Sequence, residues 1–179
     1  MRIIAGAWRG RPLVAPAGQS TRPTSERARE ALFSMLQSRL GSFQGLRVAD
    51  LFAGTGALGL EALSRGAEHC TFVETDRAAL DALKRNLATL GGTERADVRP
   101  QDGARAGGGP YHLVMIDPPY GSGLGQQALT SLVTAGALAP GALVSVETAR
   151  DENVAAAGLE AEAERRYGKA KLTLLRAAA

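Results

Sequence analysis

The stretch D50-L-F-A-G-T-G-A-L-G-L-E-A-L63 decides the fold. The apolar run L-R-V-A-D-L-F (46–52) reads as a buried strand, and Ala57 to Arg65 reads as a helix. Between them lies a loop with the spacing Gly54-x-Gly56-x-x-Gly59. In such a strand–turn–helix unit the glycines permit a tight turn, close approach of a ligand to the backbone, and close packing of helix on strand. Glu74 follows at the end of the next strand, about twenty positions on, where a dinucleotide-binding fingerprint also asks for an acid. The loop therefore suits either a dinucleotide or another ligand that contains adenosine.

The pattern repeats outward from this unit. C-T-F-V-E (70–74) is strand-like, Arg77 to Thr89 helical, and Ala96 to Arg99 a short strand. Y-H-L-V-M-I-D (111–117) is a strong strand, Leu124 to Ala135 a helix, and A-L-V-S-V-E (142–147) a strand. Alternation of this kind predicts a mostly parallel sheet covered by helices on both faces. The end differs: Leu159 to Tyr167 and Lys171 to Arg176 flank Gly168-Lys169, as an antiparallel hairpin does. Upstream, residues 2–16 read as a short hairpin and 17–24 as a polar loop broken by proline. A helix then spans Ser25 to Leu40, with Thr24 or Ser25 as its cap. The expected organisation is a basic extension over residues 1–44, followed by the sheet domain over 45–179.

Charge is segregated along the chain. Residues 1–47 hold eight arginines and two acids, whereas the remainder holds 13 basic and 16 acidic residues. With three lysines in the whole chain, the preference for Arg reflects general usage, but the clustering does not. A basic front rich in planar guanidinium groups points to nucleic acid, with Arg2, Arg9 and Arg11 as contacts. Cys70 is the only cysteine, which precludes an intrachain disulfide and suits a reducing compartment. The N-terminus does not resemble a signal peptide, and no apolar run reaches the ~20 residues of a membrane span. A cytoplasmic monomer without a metal is expected.

The identity of the ligand turns on Asp50. A carboxylate beside the glycine loop repels a pyrophosphate but suits the ammonium end of S-adenosylmethionine, a sulfonium without phosphates. Glu74 is placed to accept from ribose hydroxyls, a feature both ligands share. Asp102 can either accept from the adenine amino group or cap a turn. The stretch Asp117-Pro118-Pro119-Tyr120 favours the sulfonium. It ends the fourth strand, and ligands in open α/β sheets bind beyond the carboxyl ends of strands. The two prolines stiffen the turn, and Pro119 has no N–H to occupy a neighbouring carbonyl. The Asp117 carboxylate and the Pro118 carbonyl can then accept both hydrogens of an exocyclic amine. That draws the nitrogen lone pair out of the ring as charge develops in the transition state. Tyr120 can stack on the base, for about 1–3 kcal/mol. Such a clamp has no use in hydride transfer.

Five segments in this order resemble the bacterial small-subunit rRNA guanine-N2 methyltransferases. They are M1-R-I-I-A-G with R9-G-R11, T21-R-P-T-S-E-R-A-R-E-A-L-F33, D50 to G66, D117-P-P-Y120 and R166-Y-G-K-A-K-L172. The resemblance implies a Rossmann-like class I methyltransferase with a seven-stranded, mostly parallel sheet, an antiparallel C-terminal hairpin and a small N-terminal extension. It implies S-adenosylmethionine as cofactor, held by Asp50, Gly54, Gly56, Glu74 and Asp102, and Asp117, Pro118 and Tyr120 as the amine site. It also implies that Thr24 lies near the cofactor and Arg22 near the RNA. The target is one guanine of 16S rRNA, in a small ribosomal subunit or its assembly intermediate. Two other readings remain. D-P-P-Y also occurs in adenine-N6 and cytosine-N4 DNA methyltransferases, although about 45 residues outside the sheet leave little material for reading duplex DNA. A non-catalytic RNA-binding assembly factor is the third reading, and an intact D-P-P-Y argues against it.

Overall fold

The computed structural model describes residues 1–16 and 23–179, with the side chains of residues 23–25 outside the description. Seven strands form one sheet: β1 (Arg47–Leu51), β2 (His69–Val73), β3 (Ala96–Arg99), β4 (Tyr111–Ile116), β5 (Leu138–Ala149), β6 (Leu159–Tyr167) and β7 (Ala170–Ala177). Their spatial order is β3-β2-β1-β4-β5-β7-β6. The first five strands are parallel neighbours, and β7 runs antiparallel to both β5 and β6. The helices are α1 (Pro23–Leu40), α2 (Ala57–Ser64), α3 (Arg77–Leu90) and α4 (Leu124–Thr134). This is the mixed α/β sheet with a C-terminal antiparallel hairpin that the sequence predicts.

The two-residue period of the strands divides the core. Val48, Cys70, Phe72, Leu113 and Met115 cluster with residues of α1, α2 and α3. Ala49, Leu51, Val73, Val114 and Ile116 cluster with Ala128, Leu129 and Leu132 of α4. Ile3, Trp8 and Leu13 belong to the first of these clusters, so the N-terminal arm packs into the core of the sheet. The expected 2–16 hairpin forms: around an antiparallel bridge between Arg2 and Pro12, Ile3 donates to the Arg11 carbonyl (3.0 Å), Gly10 to Ile3 (2.8 Å) and Leu13 to Met1 (2.8 Å). Side-chain ties to α2 do most of the arm's docking. Glu61, fully buried, accepts from the N–H groups of Ile4 (2.9 Å) and Ala5 (3.1 Å) and from Arg65 (3.0 Å). It also sits 3.6 Å from the buried guanidinium of Arg29. Gly6 presses so close that an added Cβ would lie 2.0 Å from the carbonyl oxygen of Ser64.

Boundaries shift for identifiable reasons. α1 starts at Pro23, which fits the first helical turn because its missing N–H has no partner to lose there. Thr24 and Ser25 therefore lie inside the helix rather than before it. β5 starts at Leu138 rather than Ala142, since Pro140-Gly141 falls in an irregularity between two registers with β4. A shift between Ala161 and Ala163 interrupts β6, and Glu162 pairs with Arg176 (2.8 Å) and Arg39 (3.4 Å).

The glycine loop is built by close approach. Gly54 and Gly56 have φ of 59° and 89°. A Cβ on Gly56 would lie 2.3 Å from Leu83, and one on Gly59 would lie 2.3 Å from Phe72. With α2 this near the sheet, the buried Asp50 carboxyl reaches the N–H of Gly59 at 2.9 Å. Burial pushes the Asp50 carboxyl up to about 8; the Gly59 hydrogen bond opposes the shift and Glu74 adds to it. From α3, Asn86 donates to the Thr55 carbonyl (3.2 Å) and exchanges hydrogen bonds with Val14 (2.8 and 3.1 Å), joining loop and arm.

Two outcomes follow from these ties. Glu61→Ala strands the Arg29 charge and two amide donors, and should cost about 3–5 kcal/mol in urea unfolding; a loss under 1 kcal/mol would show the arm to be held otherwise. Asp50→Asn keeps an acceptor for Gly59 but cannot ionise. The native Asp50 carboxyl holds its proton above the unfolded value of about 4, so wild-type stability from this group falls as pH rises from about 4 to 8. The melting temperature of Asp50→Asn minus that of wild type should therefore climb across that window, and a flat difference would refute the buried protonated carboxyl.

Candidate functional site

The strand order reverses between β1 and β4, so their carboxyl ends flank a crevice. Leu51 pairs with Ile116, which sets the glycine loop beside Asp117. Two cavities open there, of about 620 and 440 Å³. Among the described residues, Asp117 alone lines both.

The larger cavity is walled by Phe52, Pro118 and Leu124, with Glu74 and Asp102 as its acids. Glu74 holds its surroundings in shape before any ligand arrives. One oxygen accepts from Gly54 (2.7 Å), and the other accepts from Thr75 and Asp76 (2.9 Å each). About one acceptor position remains for a hydroxyl donor, since a carboxylate offers about four in all. Asp102 caps the short 3-10 turn Gly103–Arg105 by accepting from Ala104 (2.9 Å), and it lines the cavity as well. Both readings of Asp102 are thus compatible with its place. Phe52 is the one non-glycine residue among those described with positive φ, at 62°. Its ring lies where a Cβ on Gly103 would come within 3.1 Å. The flat apolar wall with acids at its edge, and no basic side chain among its described lining residues, fits an adenosine better than a pyrophosphate.

The D-P-P-Y turn is stiffened from below. Ser122 donates to the Pro119 carbonyl (2.6 Å) and accepts from Leu124 at the start of α4 (3.3 Å). A Cβ on Gly125 would lie 3.4 Å from Pro118, so α4 comes up hard against the turn.

The smaller cavity lies between α1, α2 and the ends of β4, β5 and β7. Here the structure adds residues that sequence patterning does not single out. Glu147, near the end of β5, receives hydrogen bonds from the hydroxyls of Tyr120 (3.1 Å) and Tyr167. The Asp117 carboxyl lies beside Glu147, at the end of the neighbouring strand. Water reaches Asp117 through the open cleft, yet the protein crowded around it, and then Glu147, hold its carboxyl well above the usual range. Burial and the Glu147 charge likewise push the Tyr120 hydroxyl up to about 12 and the Tyr167 hydroxyl higher still. In the sequence Glu147 simply ends a strand and Tyr167 sits on an edge hairpin. The register Ile116↔Val146 and the β7 pairing of Glu147 with Leu172 bring them together.

Other sequence-predicted residues take varied places. Gly54 and Gly56 shape the loop. Asp50, expected to meet an ammonium group, is buried and accepts from the Gly59 N–H, a tie that sets the loop. Arg2 and Arg9 are exposed. Arg11 is exposed too, but its guanidinium donates to the Thr89 carbonyl (3.0 Å). Arg22 and the Thr24 side chain lie outside the described residues. Trp8 is an anchor, buried beneath the guanidinium of Arg95. Among the described residues, no cluster of three or more His, Cys, Asp or Glu is arranged for a metal, and no helix is long and apolar enough to cross a membrane.

Comparison with known proteins agrees with this geometry. The family model described as conserved hypothetical protein 95 matches residues 1–176. The chain is 43% identical to ribosomal RNA small subunit methyltransferase D of Escherichia coli over 150 residues, covering 83% of this chain and 74% of the relative. It is 40% identical to the protein of that name from Haemophilus influenzae over 158 residues, covering 85% and 80%. A solved Escherichia coli structure, "Putative methyltransferase yhhF", superimposes with a TM-score of 0.87 at 36% identity over 100% of this chain and 98% of that one. An arm, a glycine loop and a D-P-P-Y turn arranged in this way on this sheet, together with a match over nearly its whole length, mean that the chain belongs to the conserved hypothetical protein 95 family, alongside the ribosomal RNA small subunit methyltransferase D proteins.

Proposed function

We propose that the protein transfers a methyl group from S-adenosylmethionine to the exocyclic N2 of one guanine in the 16S rRNA of the small ribosomal subunit. The observation that carries this reading is the position of Asp117, the residue common to the two cavities. A cofactor in one cavity and a base in the other meet at that carboxyl. Relatives named as rRNA small subunit methyltransferases support RNA as the substrate.

When bound, S-adenosylmethionine supplies a methyl carbon activated by the adjacent sulfonium. Phe52, Pro118 and Leu124 offer walls for the adenine, Glu74 an acceptor for a ribose hydroxyl, and Asp102 one for the adenine amine. The Asp117 carboxylate and the Pro118 carbonyl accept the two N2 hydrogens, so the lone pair of N2 forms the new carbon–nitrogen bond as the carbon–sulfur pair stays with sulfur. Holding the amine in line supplies much of the acceleration. The nitrogen becomes positively charged and releases one proton, and the Asp117–Glu147 pair is the nearest acceptor. A neighbouring sulfonium stabilises the ionised form of Asp117, opposing the shift that burial and Glu147 impose. Residues 1–44 serve as the RNA-binding extension. Arg2 and Arg9 face phosphate there, Arg11 doing so only with the part of its fork not spent on Thr89.

The decisive experiment supplies labelled methyl donor and small subunits from cells lacking the modification, then maps the labelled atom. Asp117→Ala should lose about a hundredfold or more in turnover at saturating cofactor, the scale of one lost transition-state contact; near-normal turnover would sink the amine clamp. Binding to rRNA should weaken steeply with salt. Arg9→Ala should lower the slope of log K against log salt by about 0.7–0.9, one phosphate's share; an unchanged slope removes Arg9 from the RNA surface.

A further inference from the structure

We propose that Glu147 reads the base: it accepts the N1–H of guanine beside the amine bound at Asp117, and Tyr167 positions it for that task. This inference rests on the guanine-N2 reading and adds to it the group that selects guanine.

Three observations support it. The first is place. Ile116 pairs with Val146, so Asp117 and Glu147 follow side by side at the ends of adjacent parallel strands. Ser145 and Glu147 both line the 440 Å³ cavity, whereas Val144 and Val146 pack in the α4 cluster; the pleat therefore turns Glu147 toward the substrate side. Glu147 does not line the larger cavity.

The second is charge. Glu147 makes no ion pair among the described residues. Its polar neighbours are the hydroxyls of Tyr120 and Tyr167 and the carboxyl of Asp117. Arg29 and Lys169 line the same cavity, but neither forms an ion pair with Glu147. The two neighbouring carboxyls thus have no directly paired cation, which is unfavourable. A purely structural brace for two tyrosines would need only a neutral amide. The arrangement is suited to a partner rich in donors. Guanine alone among the bases presents adjacent donors, N1–H and N2–H2, on its Watson–Crick edge, the edge by which extruded bases are read. Adenine and cytosine present a ring-nitrogen lone pair in the equivalent position, which a carboxylate repels; rejection of the wrong partner is part of specificity.

The third is the disposition of the tyrosines. Tyr120 is 54% exposed and hydrogen-bonds one oxygen of Glu147, while Tyr167 holds the other. When Tyr120 turns to stack on a base, it uncovers the first oxygen for N1–H. Tyr167, on the hairpin, keeps the carboxylate aimed.

The test uses small subunits reconstituted with 16S rRNA carrying either guanine or 2-aminopurine at the mapped target. 2-Aminopurine keeps the 2-amino group but presents a lone pair at N1. For wild type, kcat/KM for guanine should exceed that for 2-aminopurine by about a hundredfold or more, since a site built for a hydrogen bond rejects the analogue lacking it. Glu147→Gln, whose carboxamide can turn its NH2 toward that lone pair, should compress the ratio to about tenfold or less, and Tyr167→Phe should compress it partway. Cofactor affinity in calorimetry should stay unchanged in both variants, as a role confined to the substrate cavity requires. A ratio as large in Glu147→Gln as in wild type, with the variant folded and binding cofactor, overturns the inference and leaves the guanine-N2 reading standing. Failure of wild type to label guanine N2 overturns both.

Discussion

The close approach of α2 to the sheet is the constraint on which the rest depends. Gly56 and Gly59 have no side chain because Leu83 and Phe72 occupy the space. Only at that separation can the Asp50 carboxyl reach the Gly59 N–H, and only then does the loop between β1 and α2 curl back to offer the Gly54 N–H to Glu74. The larger cavity is a by-product of this packing. Its acids are already hydrogen-bonded to backbone and therefore aimed before a ligand arrives, which lowers the ordering cost of binding.

From the same crevice the site divides into two compartments that share Asp117. One compartment is apolar with acids at its edge, and the other gathers two carboxyls and two phenols. Burial, and then the Glu147 carboxylate beside them, hold the Asp117 carboxyl and both tyrosine hydroxyls above their usual ranges, and among the described residues no cation pairs with Glu147. A cationic donor on one side and a donor-rich base edge on the other relieve that strain together. The crowding of acceptors thus becomes preference for donor-rich partners.

The basic front proves to be two populations. Arg29 is buried against Glu61 and helps fix the arm, and Arg39 pairs with Glu162 of the hairpin. Arg2 and Arg9 stay in solvent. Net charge over residues 1–47 therefore overstates the surface available to RNA, because some of those guanidinium groups are part of the architecture.

The sequence by itself determined the strand–helix rhythm, the sheet class, the closing hairpin and the two loops that meet at the crevice. These follow from local signals: two-residue and 3.6-residue periodicity, glycine spacing and paired prolines. Only the tertiary structure decided that Asp50 supports the loop from beneath, that Trp8 anchors the arm, that Phe52 takes a left-handed turn into the cavity wall, and that Glu147 and Tyr167 stand at Asp117. The Trp8 anchor and the meeting of Glu147 and Tyr167 at Asp117 depend on alignment between segments distant in the chain. Asp117 lies 30 residues before Glu147 and 50 before Tyr167, and no local pattern encodes which residues of β4, β5 and the hairpin fall side by side. That is fixed by the collective packing of helices against both faces, which permits one alignment of the strands and with it one set of neighbours.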